Sequence, residues 1–127
     1  MKARDLILAA GAETGHPVKP RSNEKERWEN DEGQLHRDNG PAVEYKDGTR
    51  VWWQSDQLHR NGGPAVEHAS GYRAWYQNDQ RHRDDGPAIE YADGTRMWHL
   101  NGRFVAQNAD PDYQAVLAAN GFPPDVS

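Results

Sequence analysis

The sequence predicts a mainly β fold, an antiparallel stack of β-hairpin repeats with a short helix at either end. Three observations predict it. A 23-residue pattern recurs through the middle of the chain. Turn dipeptides (Asp47-Gly48, Asp93-Gly94, Asn101-Gly102) stand between strand formers. Aromatic residues are frequent in a chain otherwise poor in aliphatics. Leu, Ile, Val and Phe total 17 of 127 residues and mean hydropathy is −1.13, values that alone point to disorder. Five Trp and five Tyr, most of them at repeat positions, outweigh that composition.

The elements follow in order. Ala3 to Ala10 has helical composition and stops at Gly11. Glu13 to Asn30 is polar, contains Pro17 and Pro20, and reads as a linker or loop. Residues 1–30 therefore form an N-terminal helix and linker, residues 28–105 the repeats, and residues 106–127 a capping helix and tail. Trp28 opens a first copy that is one residue longer than the rest and reaches His36.

From there the columns align. His36, His59 and His82 are each followed by arginine (Arg37, Arg60, Arg83). Gly40, Gly63 and Gly86 each open a Gly-Pro-Ala triplet. Then come Glu44, Glu67 and Glu90, the turn glycines Gly48, Gly71 and Gly94, Arg50, Arg73 and Arg96, and Trp52, Trp75 and Trp98. A fixed period of this kind denotes stacked supersecondary units.

A two-residue turn at Asp47-Gly48 would pair Tyr45 with Arg50 and Val43 with Trp52. A turn at Ser55-Asp56 would set Trp52 opposite His59. One face then carries Val43, Tyr45, Arg50, Trp52 and His59, and is nearly invariant between copies. The other carries Ala42, Glu44, Val51, Trp53 and Leu58, and varies: Trp53, Tyr76 and His99 share one column, Val51, Ala74 and Met97 another. The last copy fades after Asn101-Gly102. Asp110-Pro111 reads as an N-cap followed by proline at the first helical position. Tyr113, Val116 and Leu117 fall on one helical face, and Gly121 fits the C-cap. This helix is expected to cover the end of the sheet, as terminal caps do in repeat proteins.

Composition narrows the function classes. With 15 Lys+Arg against 20 Asp+Glu the net charge is −5, which argues against a generic binder of nucleic acid or anionic membranes. Cysteine is absent, so disulfides, Cys-based zinc sites and thiol nucleophiles are excluded. The apolar run Leu6 to Ala10 is far shorter than the ~18 residues of a membrane span. Acidic Asp5 precedes it and no signal-peptide cleavage pattern follows, so the expected setting is cytoplasmic.

The repeat resembles the MORN family of short glycine- and aromatic-containing hairpin repeats. The shared elements are the aromatic before an Asn/Asp-Gly-type turn, the histidine, the glycine and a second turn glycine, over residues 28–104. His-Arg-x-x-Gly-Pro-Ala stands where the family pattern has a His-Gly-x-Gly-like stretch, as in divergent bacterial and viral variants. The resemblance implies an elongated, twisted antiparallel sheet that acts as a scaffold or interaction module. Some bacterial relatives are described as antitoxins, and lipid binding has been proposed for certain members.

No cofactor, metal or catalytic residue is expected. Strands lie about 4.8 Å apart, so equivalent histidines of successive hairpins are roughly 10 Å apart, too far to share a zinc ion with ligands at about 2.0–2.2 Å. His36, His59 and His82 instead read as structural groups that each cap or stack on a tryptophan and hydrogen-bond a neighbouring backbone group or carboxylate. Arg50, Arg73 and Arg96 read as cations stacked on Trp52, Trp75 and Trp98, a contact typically worth ~0.5–2 kcal/mol. No phosphate loop or nucleophile elbow occurs.

The expected function is therefore non-catalytic binding of a protein partner. The candidate contacts are Trp53, Tyr76, His99, Glu44, Glu67 and Glu90, since aromatic residues dominate binding hot spots. Size and capping suggest an inhibitor, an antitoxin or a phage-encoded protein that blocks a defence enzyme. The alternative is nucleic-acid or nucleotide-phosphate binding through the Arg/His/Trp columns, or acidic mimicry of nucleic acid. Residues 36–104 hold 9 Lys+Arg and 10 Asp+Glu, so no electrostatic funnel is visible. A monomer or an edge-paired homodimer is expected.

Overall fold

The computed structural model describes residues 14–122, so the helix expected over residues 3–10 lies outside the described residues. The described part is mainly β, an open antiparallel sheet of hairpins with one short C-terminal helix. The strands are β1 (His16–Val18), β2 (Glu24–Glu29), β3 (Val43–Tyr45), β4 (Arg50–Val51), β5 (Trp53–Gln54), β6 (Gln57–Leu58) and β7 (Val66–Glu67). They continue as β8 (Arg73–Ala74), β9 (Tyr76–Gln77), β10 (Gln80–Arg81), β11 (Ile89–Glu90), β12 (Arg96–Leu100) and β13 (Arg103–Gln107), before helix α1 (Tyr113–Ala119). The main sheet runs β1-β2-β3-β4-β7-β8-β11-β12-β13. The short hairpins β5–β6 and β9–β10 stand apart from it as two-stranded sheets.

The segment expected to be a linker contains β1 and β2. Pro17 hid the strand signal of β1, and the charged side chains of Glu24–Glu29 hid that of β2. Glu24 and Arg27 are buried as a pair, Arg27 Nη1 lying 3.0 Å from the Glu24 carboxylate and its Nε 2.9 Å from that of Glu29. The two acidic partners keep the Arg27 guanidinium fully charged against the cost of its burial. The extra residue of the first copy is absorbed by a wider loop at 30–34, closed by Gly33 at φ +78° and by Asn30 Oδ1, which accepts from the Glu32 and Gln34 amides.

The two turn types differ, and this changes the faces. Ser55 and Asp56 both have positive φ, as do Asn78 and Asp79, and Asn101 and Gly102. These are two-residue type I′ turns, and they set Trp53 against Leu58 and Tyr76 against Arg81. The turn at Asp47-Gly48 is longer. The Tyr45 amide donates to Thr49 O and that of Gly48 to Tyr45 O, with Gly48 at φ +95°. This is a three-residue loop with glycine at the left-handed position. Val43 therefore opposes Val51, and Glu44 opposes Arg50. A shift of one residue turns a whole strand over, so the expected pairs Tyr45–Arg50 and Val43–Trp52 do not form.

The corrected faces are uniform along the sheet. One presents Glu44, Arg50, Glu67, Arg73, Glu90 and Arg96 directly opposite one another in alternating charge. By strand alternation, Trp28, Trp52, Trp75 and Trp98 belong to the same face. The other face carries Val43, Val51, Val66, Ala74, Ile89 and Met97 in register. Tyr45, Trp53 and their equivalents extend it.

Helix α1 closes the C-terminal end. Trp98 (0% exposed), Ala106, Leu117 and Phe122 form a small core there, flanked by Leu100, Val105, Tyr113 and Val116. The N-cap is Asp112, not Asp110. The Asp110 carboxylate instead accepts from the Gln107 amide and ties the helix start to β13. Gly121 at φ +88° closes the helix: its amide reaches Ala118 O, and that of Phe122 reaches Leu117 O. This is a Schellman arrangement.

Candidate functional site

The invariant columns build the stack. Arg37, Arg60 and Arg83 lie flat on Trp28, Trp52 and Trp75, with Cζ 3.9, 3.8 and 4.0 Å from the ring centres. The glycine three residues on completes each stack. A Cβ on Gly63 would stand 2.8 Å from Arg60 Cζ, and one on Gly86 2.9 Å from Arg83 Cζ. Each guanidinium is therefore sandwiched between an indole and a glycine. Arg60 Nη1 also donates to Pro64 O (3.0 Å) and meets Glu67 (3.1 Å), and Arg83 Nη1 repeats the pattern with Pro87 O and Glu90. The Arg-x-x-Gly-Pro spacing is the footprint of this stack.

Arg50, Arg73 and Arg96, expected on the tryptophans, are not the stacked residues. Arg50 pairs with Glu67 at 3.4 Å and Arg73 with Glu90 at 2.7 Å. Arg96 opposes Glu90 in the ladder. The longer turn at 46–48 sets Arg50 opposite Glu44, and the indole of Trp52 is already covered by Arg60. Trp98 has no arginine above it and packs against Tyr113 of α1 instead, with ring centres 5.8 Å apart.

The histidines join one copy to the next. His36 Nδ1 accepts from the Ser55 amide (3.0 Å), His59 Nδ1 from Asn78 (3.1 Å) and His82 Nδ1 from Asn101 (2.9 Å). Each imidazole thus holds the first residue of the following type I′ turn. A ring nitrogen that accepts an amide bears no proton, so the proton sits on Nε2. There it faces Asp38 (3.0 Å) from His36 and Asp84 (2.9 Å) from His82. Although partial burial opposes ionisation, the Thr14 amide and hydroxyl and the His36 ring hold the Asp38 carboxyl below its ordinary value.

With these columns engaged, the variable face is left to engage something else. Trp53 and Tyr76 lie on it, both half-buried. His99 shares their column but is 4% exposed, packed edge-on against Phe104 at 5.6 Å, so it belongs to the floor of the face. Burial and the neighbouring Arg81 lower its pKa. Glu44, Glu67 and Glu90 lie on the opposite face, so the six candidate contacts do not form one surface.

The variable face contains residues that sequence reasoning missed. Tyr91 (40%) and Phe104 (47%) are the exposed large apolar residues among those described. Tyr72 meets Tyr91 edge-on, with ring centres 5.4 Å apart, and Arg81 Nε donates to Tyr76 Oη at 3.3 Å. Correct pairing in the three-residue turn would have placed Tyr45, Thr49 and their equivalents on this side.

Two open clefts occur at equivalent places between copies. One of about 540 Å³ is lined in part by Trp52, His59, Arg60 and Asn61. The next, of about 420 Å³, is lined in part by Trp75, His82, Arg83 and Asp84. Their walls are residues already engaged in the stack. Among the described residues no group of three or more His, Asp or Glu side chains could hold a metal ion, and no helix is long and apolar enough to cross a membrane. Comparison with family models, curated proteins and solved structures gives no match.

Proposed function

We propose that this chain is a non-catalytic, MORN-like repeat module that binds a protein partner and acts by covering the partner's working surface, as an inhibitor or antitoxin does. One observation carries the reading: the two faces differ in what remains available. Most of the invariant Trp, Arg, His and Glu side chains are engaged within the stack, whereas the variable face carries the half-buried Trp53 and Tyr76 and the exposed Tyr91 and Phe104. Large aromatic side chains on a rigid support are the residues that dominate protein–protein hot spots.

The nucleic-acid alternative needs free cations and free aromatic faces. Arg60 and Arg83 cover their tryptophans, and Arg50 and Arg73 sit beside glutamates. These columns therefore supply neither a phosphate track nor a stacking platform. The test is affinity capture from nuclease-treated lysate of the source cell. The baits are the wild type, a Trp53→Ser/Tyr76→Ser variant and the more exposed Tyr91→Ser/Phe104→Ser variant, each checked for folding by circular dichroism. A stoichiometric protein held by the wild type and lost from a folded variant is the expected result. Oligonucleotide binding that falls steeply with salt, with no protein captured, would overturn the reading.

A further inference from the structure

At one point on the variable face the side chains cannot be explained by the repeat. The third copy brings Tyr72, Tyr76, Arg81 and Tyr91 together. Arg81 stands directly opposite Tyr76 across β9–β10 and donates to its hydroxyl. Tyr72 and Tyr91 meet edge-on, with ring centres 5.4 Å apart, and the Tyr76 hydrogen bond, with lesser effects of Tyr72 and Tyr91, favours the charged form of Arg81. The same four columns hold Thr49, Trp53, Leu58 and His68 one copy earlier. Thr95, His99 and Phe104 follow one copy later. The stack thus accepts Leu or Phe where Arg81 stands, and does not require a cation there.

Arg81 also differs from most arginines of the repeats. Arg27, Arg37, Arg50, Arg60, Arg73 and Arg83 each form an ion pair with a carboxylate, whereas Arg81, like Arg96 and Arg103 of the opposite face, is in no ion pair among the described residues. It is exposed. Its surroundings are hydroxyl groups rather than acids. A guanidinium offers a planar fork of donors that fits the two oxygens of a carboxylate, and phenol hydroxyls can donate to the remaining lone pairs. His99, on the same face, is buried against Phe104 and disfavoured as a cation. The place therefore carries one positive charge, which matches a singly charged anion better than a phosphate dianion.

We infer that Arg81, framed by Tyr72, Tyr76 and Tyr91, is the anchor for an Asp or Glu side chain of the protein partner. This rests on the protein-binding reading and deepens it. The anchor gives that face a polarity: aromatic contact around Trp53 and Phe104, and a single charged lock between them.

The experiment follows the Arg81 Nε–H resonance by NMR in the full chain. The probe is acetyl-tetraglutamate amide, with acetyl-tetraglutamine amide and inorganic phosphate as comparisons. The expected result is a saturable shift at Arg81 with the glutamate peptide, with a Kd on the order of millimolar for so small a contact. The shift is lost in Arg81→Gln and weakened several-fold in a Tyr72→Phe/Tyr91→Phe variant, which keeps the rings and removes the hydroxyls. An equal response to the glutamine peptide or to phosphate, or a response centred on Arg60 or Arg83, would overturn the assignment. Affinity capture with Arg81→Gln separates the two claims. A partner captured equally by the wild type and by Arg81→Gln overturns the anchor and leaves the protein-binding reading standing. A glutamate-specific response at Arg81 with no protein captured supports the anchor and removes the larger reading.

Discussion

Gly63→Ala tests whether the Arg-x-x-Gly-Pro spacing exists to hold a stacked guanidinium. Gly63 precedes Pro64 and its φ is not in the left-handed region, so alanine meets no backbone strain of its own. The added Cβ would lie 2.8 Å from Arg60 Cζ and 2.9 Å from Nη1, inside any tolerable contact. The end of a long side chain can swing away, so the cost is what Arg60 abandons. It leaves the Trp52 ring at 3.8 Å, worth about 0.5–2 kcal/mol. It also leaves the bond to Pro64 O at 3.0 Å, about 0.5–1.5 kcal/mol net, and a half-exposed pair with Glu67, about 0–1 kcal/mol after solvent screening. The three together come to about 1–4.5 kcal/mol, or a fall in Tm of roughly 4–20 °C for a domain of this size. Urea unfolding followed by tryptophan fluorescence measures it. In an Arg60→Ala background the alanine at 63 has nothing to displace, so its cost should drop to roughly 0.5 kcal/mol or less. Equal costs in both backgrounds, or no cost in either, would refute the stack as the reason for the glycine.

Four further outcomes are expected. His59→Ala removes the acceptor for the Asn78 amide, so stability should fall by about 1–2 kcal/mol, and hydrogen exchange should show lost protection at Asn78 with Asn101, held by His82, unchanged. Ser55 sits at φ +47°, a region asparagine tolerates better, so Ser55→Asn should raise the urea midpoint, equivalent to about 0.5 kcal/mol. Charge reversal at Arg50 or Glu67 alone should destabilise slightly, and the double exchange should recover part of the loss, with coupling below about 1 kcal/mol that fades with salt. His99 has a folded pKa below its ordinary 6.5, so the unfolded chain binds more protons and stability should decline as pH falls through 6.5. His99→Phe should flatten that limb. A second decline should remain below about pH 4, because turn amides and hydroxyls depress the pKa of Asp47 and Asp93.

Much of the fold was legible because its signals are local and periodic. Glycine at 48 and the Ser55-Asp56 column announced turns, and the 23-residue period announced a stack. The turn length at 46–48 was not legible, since Asp-Gly serves both two-residue and three-residue loops. That single residue set Arg50 opposite glutamates, while the Arg-x-x-Gly-Pro loop laid Arg60 on the indole. It also separated Glu44, Glu67 and Glu90 from Trp53 and Tyr76. Strand β2 was hidden because Glu24 and Arg27 satisfy each other in a buried position where apolar residues usually stand. The Tyr72–Tyr76–Arg81–Tyr91 group was invisible for a different reason: its members belong to four separate columns that only the true register brings together.

Which face meets a partner is the central claim, and charge substitution on each face tests it most directly. Tyr91→Glu places a charge beside Arg81 on the variable face, whereas Glu44→Lys alters only the ladder on the other. With the captured partner in hand, affinity of both folded variants by titration calorimetry decides the matter. The account predicts that Tyr91→Glu weakens binding at least tenfold and Glu44→Lys changes it less than threefold. The reverse order of effects would contradict it.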